Sequence, residues 1–560
     1  MNDPGPEDHL DVLIVGAGLS GIGAAWHLQH RCPERRYALL EAREASGGTW
    51  DLFRYPGIRS DSDMYTLGYA FQPWRDPKAI ADGPSILAYI RDVAREAGID
   101  RHIRYRHRAI KASWSSERAR WTVEVAVGPD GVRRTLTCNF LLMCSGYYDY
   151  AQGHEPAFAG IGDYRGRVVH PQRWSDDIDY AGRRVVVIGS GATAVTLVPS
   201  MAVTAAHVTM LQRSPTYVVS RPAEDRVANA LRRVLPPRLA YALSRWKNVL
   251  LGMVFYQLCK RRPDKARALI LEGVRQQLGE GFDVERHFAP RYAPWDQRLC
   301  LVPDGDLFHA IRDGRVSVVT DEIERFTATG LRLKSGQELA ADLVVTATGL
   351  ELKLMGGMAL EVDGRAVDPA ETVTYKGMML SDVPNLATVS GYTNASWTLK
   401  ADLVCDYVCR LLNHMRRRGL RQCVARLDDP DMPRLPWIDF SSGYIQRSMH
   451  LFPRQGDRRP WRGRRNAGPG PAGTLRFCQG RGSPTGPAKV EWERGTDDQH
   501  FHAPDRRRGP RRAGRGRAQP AGDGAEDQAH RLHGAGERPA RAVQEGLRGR
   551  QQGHRDRLGP

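Results

Sequence analysis

Val12-Leu-Ile-Val15 runs directly into Gly16-Ala-Gly18-Leu-Ser20-Gly21, and this stretch decides the fold. A short apolar run followed by glycines at these positions is typical of a buried parallel strand that turns into a helix. The turn lets the backbone approach a pyrophosphate, which the unpaired N–H groups of the helix can then bind. Glu41 follows the next apolar run, Tyr37–Leu40, where an acid that accepts a ribose hydroxyl is expected. A turn with incidental glycines is the alternative interpretation.

A second loop of this kind follows Val185-Val-Val-Ile188 and reads Gly189-Ser190-Gly191-Ala192-Thr193-Ala194. The next apolar run, Val208–Leu211, ends in Gln212 and Arg213 without an acid. An arginine at this position suits the 2′-phosphate of NADPH, so NADPH is predicted here. A solvated surface arginine is the alternative. The first loop, with its acid, is then predicted to hold FAD.

The alternation of strand and helix patterns predicts an α/β fold with two dinucleotide-binding (Rossmann-like) domains. Two dinucleotides held by one chain imply electron transfer between them. We expect six segments: the FAD-binding domain, first part (8–150); a linker with the first part of the NADP-binding domain (151–220); a helical insertion (221–290); the second part of the NADP-binding domain (291–350); the second part of the FAD-binding domain (351–462); and a disordered basic tail (463–560).

The C-terminal tail carries most of the positive charge. Residues 454–560 hold 24 Lys and Arg against 12 Asp and Glu, a net +12 of the chain's +18. Arg, Gly, Ala and Pro dominate there, and such a segment cannot bury enough apolar surface to offset its ordering entropy. A nucleic-acid-binding arm is one interpretation, but acids dilute the charge and aromatic residues are sparse, so no nucleic acid is expected. The other interpretation is an out-of-frame reading of a GC-rich gene.

The cysteine pattern and the N-terminal sequence predict a reduced, cytoplasmic protein without a bound metal. Its nine cysteines are scattered, and the N-terminus lacks the pattern of a signal peptide. Cys405 and Cys409 share a helix face, and core packing is the interpretation because no further ligand completes a metal set. Residues 245–262 hold an apolar run between basic residues, which predicts a buried helix or, alternatively, a peripheral membrane contact. The sequence leaves the oligomeric state open.

Further motifs carry a resemblance to a known family. They are Gly47-Gly48-Thr49-Trp50-Asp51, Arg54-Tyr55-Pro56-Gly57, Arg59-Ser60-Asp61, Tyr164-Arg-Gly166-Arg-Val-Val-His170-Pro-Gln-Arg-Trp174, Trp295-Asp-Gln-Arg298 and Gly391-Tyr-Thr-Asn-Ala-Ser-Trp397. Over about residues 8–462 the chain resembles the flavin-containing monooxygenases, and within them the type I Baeyer–Villiger group. The family's fingerprint usually opens with Phe where Tyr164 stands. N-hydroxylating relatives usually place Tyr or Phe where Trp174 stands.

The resemblance implies a role for each of these residues. Arg298 matches the catalytic arginine that stabilises negative charge on the reacting oxygen, and Asp61 matches the acid that holds it. His170 and Trp174 would sense NADP and couple domain motion to the reaction, with no role for His170 as a base. The FAD contacts would be Gly16, Gly18, Ser20, Gly21, Glu41, Thr49, Trp50, Asp51, Leu52, Arg59, Ser60, Asp61 and Ala109. The NADPH contacts would be Gly189, Ser190, Gly191, Ala192, Thr193, Ala194, Gln212 and Arg213.

The implied reaction inserts one oxygen atom from O2 into a ketone to give an ester or lactone, or oxidises sulfur in thioethers and thioamides. An N-hydroxylating flavin monooxygenase is the first alternative, and Trp174 and Arg298 argue against it. The second alternative is an inactive frameshifted product, or a protein that binds partners through its basic tail. The family pattern still holds at Pro453-Arg-Gln-Gly456 and Pro460-Trp461 and is lost just beyond, which supports a frameshift.

Overall fold

The first apolar run and glycine loop form a strand, a tight turn and a helix in the protein's computed structural model. The structure describes residues 9–438 and 440–462, with the backbone of two short strands at 475–478 and 488–490. The prediction of disorder for residues 463–560 otherwise lies outside the described residues.

Residues 9–153 contain the elements of the first sheet and the helices that cover it. They are β1 (His9–Val15), α1 (Leu19–Arg31), β2 (Tyr37–Leu40), α2 (Thr49–Leu52), α3 (Met64–Leu67), α4 (Gly83–Glu96), β3 (Ile103–Arg104), β4 (His107–Ser115), β5 (Arg120–Val127), β6 (Val132–Met143) and β7 (Tyr148–Gly153).

Residues 167–346 contain the second sheet and the helical insertion. They are β8 (Arg167–Val169), β9 (Arg184–Ile188), α5 (Ala192–Met201), β10 (His207–Gln212), β11 (Val218–Arg221), α6 (Arg226–Val234), α7 (Pro237–Arg261), α8 (Pro263–Leu278), α9 (Val284–Phe288), β12 (Cys300–Pro303), α10 (Asp306–Arg312), β13 (Val316–Thr320), β14 (Ile323–Thr327), β15 (Gly330–Leu333), β16 (Glu338–Ala340) and β17 (Leu343–Thr346).

The remaining described residues add three strands to the first sheet and form several shorter elements beside it. They form β18 (Leu350–Leu352), β19 (Ala359–Val362), β20 (Arg365–Val367), β21 (Thr374–Tyr375), β22 (Met379–Leu380), β23 (Leu386–Thr388), α11 (Trp397–Arg417), β24 (Gln422–Val424), β25 (Leu435–Pro436), α12 (Gly443–Ser448), β26 (Arg454–Gln455), β27 (Leu475–Cys478) and β28 (Ala488–Val490). The last two strands extend β24 as an antiparallel sheet.

The first sheet has the strand order β20-β19-β4-β5-β6-β1-β2-β3, with β23 also paired to β6. Its central strands β6, β1 and β2 run parallel, and every residue of β2 is buried. Continuous apolar runs are what a parallel strand needs when helices cover both faces of the sheet. Strand β23 joins from the C-terminal part of the chain, so the chain leaves this sheet and later comes back to it.

The second sheet is wholly parallel, in the order β13-β10-β9-β17-β8. Its apolar strands, with α5, α8 and α10, enclose a core separate from that of the first sheet. The predicted α/β class with two Rossmann-like units is therefore confirmed.

The chain crosses between the two sheets twice, and the two crossover strands pair with each other. Strand β7 leaves the first sheet and lies antiparallel to β18, which leaves the second. The Asp149 carboxylate in β7 forms an ion pair with Lys353, the residue just after β18, with 2.6 Å between Oδ2 and Nζ. Paired crossovers make a stiffer connection than two separate strands, because each backbone restrains the other.

The insertion is helical, as predicted, and one arginine fixes it to the first domain. Arg245 of α7 donates to the carbonyl oxygens of Tyr65 and Gly68, each at 2.8 Å, at the end of α3. A cation at a helix C-terminus satisfies carbonyls that have no partner in the helix. None of the helices in the described part of the chain is long and apolar enough to cross a membrane.

The turn at Gly166 offers a test of the packing between the crossover and the second sheet. A Cβ at Gly166 would lie 2.7 Å from the Asp342 carbonyl oxygen and 2.3 Å from the Tyr164 hydroxyl. Gly166→Ala should therefore lower the free energy of unfolding by about 1–3 kcal/mol or more. Gly162→Ala is the matched control, because no atom lies within 4 Å of its added Cβ. Equal urea midpoints for the two variants would contradict the packing described.

Candidate active site

The first glycine loop is packed too tightly against its own backbone to hold side chains at Gly16 and Gly21. Gly16 has φ +106°, and a Cβ there would lie 2.5 Å from the Cys144 carbonyl oxygen. A Cβ on Gly21 would lie 1.9 Å from the Gly16 carbonyl oxygen, and one on Gly18 would lie 3.4 Å from the Cα of Gly48. The loop is therefore bare backbone, positioned at the start of α1, as close approach to a pyrophosphate requires.

The Glu41 carboxylate is fixed beside this loop. Its Oε2 accepts from the Ala17 N–H at 2.9 Å and its Oε1 from the Arg43 N–H at 3.0 Å. The side chain is buried, and each oxygen keeps a further lone pair for a hydroxyl donor. The first residue of β4 contacts Glu41 as well, because the His107 N–H donates to the Glu41 carbonyl oxygen at 2.9 Å. Ala109 thus lies two residues from this contact.

The Gly47–Leu52 turn closes over the first loop. The Gly47 N–H donates to the Ala17 carbonyl oxygen at 3.0 Å, and Thr49 shares a hydrogen bond of 3.1 Å with the Tyr150 hydroxyl. Asp51 is buried and forms ion pairs of 2.7 Å with both Arg43 and Arg91. Two arginines thereby hold the turn that carries Thr49, Trp50, Asp51 and Leu52.

The second glycine loop differs in how it is held. Gly189 has φ +140°, and a Cβ there would lie 2.5 Å from the Ala347 carbonyl oxygen. No described atom lies within 4 Å of a Cβ built on Gly191, so this position faces open space. The Ser190 hydroxyl lies 3.0 Å from both the Ser214 carbonyl oxygen and the Thr216 hydroxyl. These bonds place the loop beside the segment that follows β10.

The two residues at the end of β10 have different surroundings. Gln212 is buried, and its amide nitrogen donates to the His287 carbonyl oxygen at 2.8 Å and to Thr320 at 2.9 Å. These bonds connect β10, α9 and β13, so the side chain supports the sheet edge. Arg213 is exposed and lies within the electrostatic reach of Glu322. No carboxylate of the described chain lies within ion-pair distance of it.

Arg298 and Asp61 meet in a bidentate ion pair. The Arg298 Nε lies 2.7 Å from Oδ2 of Asp61, and its Nη2 lies 3.1 Å from Oδ1. The Asp61 carboxylate raises the pKa of Arg298 above its ordinary value, so the guanidinium stays charged. About a third of each side chain remains exposed, 37% for Arg298 and 30% for Asp61. The pair is thus fixed in position and still open to a ligand.

Three tyrosines that the sequence analysis missed surround this pair. Tyr147, Tyr148 and Tyr444 all lie within electrostatic reach of Arg298. Burial raises the pKa of each phenol, so all three hydroxyls are neutral donors at ordinary pH. Tyr147 and Tyr148 follow the carboxyl end of β6, a place where binding residues of α/β sheets collect. Tyr444 belongs to α12, and no motif in that segment indicates a functional residue.

The loop that carries Asp61 also binds the second domain through side-chain contacts. Arg59 pairs with Asp306 at the start of α10, with Nη1 2.5 Å from Oδ2, and its Nη2 lies 3.5 Å from the Val195 carbonyl oxygen in α5. The Tyr55 hydroxyl bonds to Thr193 beside the second glycine loop. Ser60 is buried and accepts from the Ser62 N–H at 2.9 Å. The sequence motifs contained no sign of the Asp306 partner.

The fingerprint residues lie at the crossover between the sheets. The Tyr164 hydroxyl donates to the Ala341 carbonyl oxygen at 3.0 Å, and Trp174 packs edge-on against Tyr180. His170 is buried; its Nε2 donates to the Gly349 carbonyl oxygen at 3.1 Å, and its Nδ1 accepts from the Gln172 N–H at 3.2 Å. Gly349 lies between β17 and β18, so His170 connects one crossover segment to the other.

Comparisons with known proteins identify the family of the chain. Two family models match: "NAD(P)-binding Rossmann-like domain" over residues 14–78 and "Flavin-binding monooxygenase-like" over residues 75–272. The FAD-containing monooxygenase EthA of Mycobacterium tuberculosis is 57% identical over 456 residues, 81% of this chain and 93% of that relative. EthA of Mycolicibacterium smegmatis is 54% identical over 460 residues, covering 82% and 93%. A structure of an oxidized steroid monooxygenase bound to NADP has a TM-score of 0.64 at 25% identity, covering 76% of this chain and 88% of that chain.

The chain belongs to the flavin-binding, FAD-containing monooxygenases. This membership confirms the predicted class of enzyme, a flavoprotein monooxygenase, and the predicted cofactors FAD and NADP(H).

His170 offers a test of the junction through pH. Burial lowers the pKa of His170 from its ordinary value of 6.5, so the unfolded chain binds a proton more readily than the folded protein. The stability that depends on neutral His170 is complete above about pH 6.5 and is lost as the pH falls below it. His170→Gln should therefore lower the urea midpoint at pH 7.5 and flatten its decline between pH 7.5 and 5. An unchanged slope in this variant would contradict the assignment.

Proposed function

We propose that this enzyme is a Baeyer–Villiger monooxygenase that uses NADPH, FAD and O2 to insert oxygen into ketones. The observation that carries the proposal is the bidentate pair of Arg298 and Asp61, which joins a loop of the first domain to the second domain beside its glycine loop. Arg298 lies two residues before Cys300, whose thiol approaches the Ser190 carbonyl oxygen of the second loop at 3.9 Å. Asp61 belongs to the loop of the first domain that contacts α5 and α10.

The residues present fit FAD at the first loop. Gly16 and Gly21 leave no room for a side chain, Gly18 faces the Gly48 backbone, and Glu41 offers oxygen acceptors beside this loop. Bare N–H groups at the start of α1 suit a pyrophosphate, and the fixed carboxylate suits a ribose hydroxyl. The turn that includes Thr49, Trp50, Asp51 and Leu52 would close over the cofactor, with Ser20, Arg59, Ser60 and Ala109 as further proposed contacts.

NADPH would lie at the second loop in the same manner. Gly191 faces open space and would let the pyrophosphate approach, with Ser190, Ala192, Thr193 and Ala194 around it. Arg213 is exposed at the edge of the sheet and would bind the 2′-phosphate. The Gln212 side chain already has partners inside the protein, so we propose only its backbone as a contact.

FAD, reduced by NADPH, would supply the activated oxygen for the reaction. Arg298 would lie beside the oxygen where negative charge develops, and its fixed position means that little reorganisation is needed when the charge appears. Asp61 holds the guanidinium by two bonds, which fixes its plane as well as its position. Neutral hydroxyls of Tyr147, Tyr148 and Tyr444 are available to orient a carbonyl oxygen by donating hydrogen bonds to it.

The aromatic surroundings of Arg298 favour a substrate with an apolar body and one polar oxygen or sulfur atom. Aromatic side chains supply the apolar contacts, since the rings of Tyr147 and Trp397 lie 5.4 Å apart. Oxidation of sulfur in thioethers or thioamides needs the same activated oxygen and remains part of the proposal. N-hydroxylation is the less favoured alternative, because Trp174 occupies the position that is Tyr or Phe in such relatives. We propose that the enzyme is cytoplasmic.

Replacing Arg298 tests the oxygen-transfer step. Arg298→Ala should lower the rate of ester formation by about 10²–10³, because one preorganised electrostatic stabiliser is lost. NADPH oxidation should continue, with its reducing equivalents released as hydrogen peroxide. The measurements are product yield by chromatography and peroxide release, each per NADPH consumed.

The matched control for that experiment is Arg332→Ala. Arg332 also pairs with a carboxylate, Glu338 at 2.7 Å, but on an exposed hairpin of β15 and β16. It should keep the wild-type yield of ester. A full ester yield in Arg298→Ala would show that another residue supports oxygen transfer.

Replacing Arg213 tests the choice of nucleotide. Arg213→Ala should raise the KM for NADPH far more than the KM for NADH, because only NADPH carries the 2′-phosphate. The difference should amount to about 1.5–3 kcal/mol, as for hydrogen bonds to charged groups. Arg183→Ala, an exposed arginine before β9 and outside the loop, is the control and should leave both values unchanged. Equal rises in both KM values would remove Arg213 from the nucleotide site.

A further inference from the structure

Helix α7 exposes an apolar stripe along its length. The exposed fractions are 48% for Leu239, 45% for Leu243, 46% for Trp246, 54% for Leu250 and 68% for Val254. Their spacing of three or four residues places all five within an arc of about 80° on the helix, at 100° per residue. Large apolar side chains on one continuous face mark a site of interaction, whereas single ones are ordinary.

The opposite face of the same helix is already packed against the protein. Ala240, Tyr241 and Ser244 are buried, and the Tyr241 hydroxyl donates to the Tyr69 carbonyl oxygen at 3.0 Å. Arg245 caps α3 on this side. The exposed stripe is therefore a second apolar face on a helix whose first face is satisfied.

The charge around the stripe has one sign. Residues 226–263 contain nine Arg and Lys and no Asp or Glu. Arg233 and Arg238 are exposed at the amino end of the stripe, and Arg261 and Arg262 at its carboxyl end. None of these four lies within ion-pair distance of a carboxylate in the described part of the chain. The stripe is thus bounded at both ends by arginines available to an anionic partner.

We propose that α7, together with α6, docks on the surface of an anionic lipid bilayer. The apolar stripe would enter the boundary between headgroups and acyl chains, and the four arginines would bind lipid phosphates. A second copy of this chain is a poorer partner, since two such surfaces would bring like charges together. Docking is independent of the proposed oxidation and does not require it.

Docking would bring the bilayer beside the candidate active site. The carboxyl half of α7 contacts the segment that carries Arg298, with the rings of Tyr256 and Trp295 5.8 Å apart. Lys260 also pairs with Asp296 at 2.7 Å.

Sedimentation of the full chain with lipid vesicles tests the proposal. Vesicles of phosphatidylcholine with phosphatidylglycerol should carry the protein down at low salt, and vesicles of phosphatidylcholine should bind it far more weakly. Leu250→Ser with Val254→Ser should weaken binding at least about tenfold, because each substitution removes a side chain from the bilayer. Replacing the four arginines by Gln should weaken it by about fivefold for each residue near the surface.

Two controls keep the experiment decisive. Val203→Ser changes an apolar residue that is 72% exposed in the second domain, and it should bind vesicles like the wild type. The α7 variants should keep the wild-type unfolding temperature, since the replaced side chains are exposed. The basic residues 463–560 are present in every variant, so a difference in binding between variants reports on the substituted residues of α7.

Three outcomes would overturn the proposal. Undiminished vesicle binding by the Leu250/Val254 variant would assign the contact to another part of the chain. Equal binding to neutral and anionic vesicles would remove the role of the arginines. A dimer in light scattering that the α7 substitutions dissociate, with no vesicle binding by the wild type, would assign the stripe to a second copy.

Discussion

The ion pair between Arg298 and Asp61 is the interaction on which the rest of the site depends, because its two partners come from different domains. Arg298 precedes β12 in the second domain, and Asp61 follows the Arg59–Ser60 turn in the first. A bidentate pair fixes both the distance and the plane of the guanidinium, which a lysine at the same position could not do. Arg59 adds a second bridge to the same pair of domains through Asp306. Any motion of one domain against the other must therefore act on both arginines.

The crossover limits how such motion can occur. Strands β7 and β18 pair with each other, and neutral His170 donates across the junction to the Gly349 carbonyl oxygen. A Cβ on Gly153 would lie 2.0 Å from the His170 ring, so β7 passes directly over it. The two connections thus form one packed unit, which favours rotation about the crossover over independent movement of each strand. This placement is consistent with the expected coupling role of the fingerprint, which stays a prediction.

The sequence predicted what depends on local pattern and missed what depends on distant partners. Both glycine loops, their strands and the position of Glu41 follow from apolar runs, glycine spacing and one acid, all within about 25 residues. Arg298 and Asp61 lie 237 residues apart, so only the family resemblance brought them together. Tyr444 and Asp306 had no such motif and were missed. Gln212 was predicted as a cofactor contact from its position, but the sequence could not show that His287 and Thr320 would occupy its amide.

The helical insertion connects the surface of the protein to this ion pair. Helix α7 has 25 residues and is about 37 Å long, and it contacts both domains along that length. Near its middle Arg245 binds the carbonyl end of α3, which begins just after the Asp61 loop. At its carboxyl end Lys260 binds Asp296, two residues before Arg298. One helix therefore braces the segments that carry both members of the pair, so a surface that positions α7 also positions the charge to which we assign oxygen transfer.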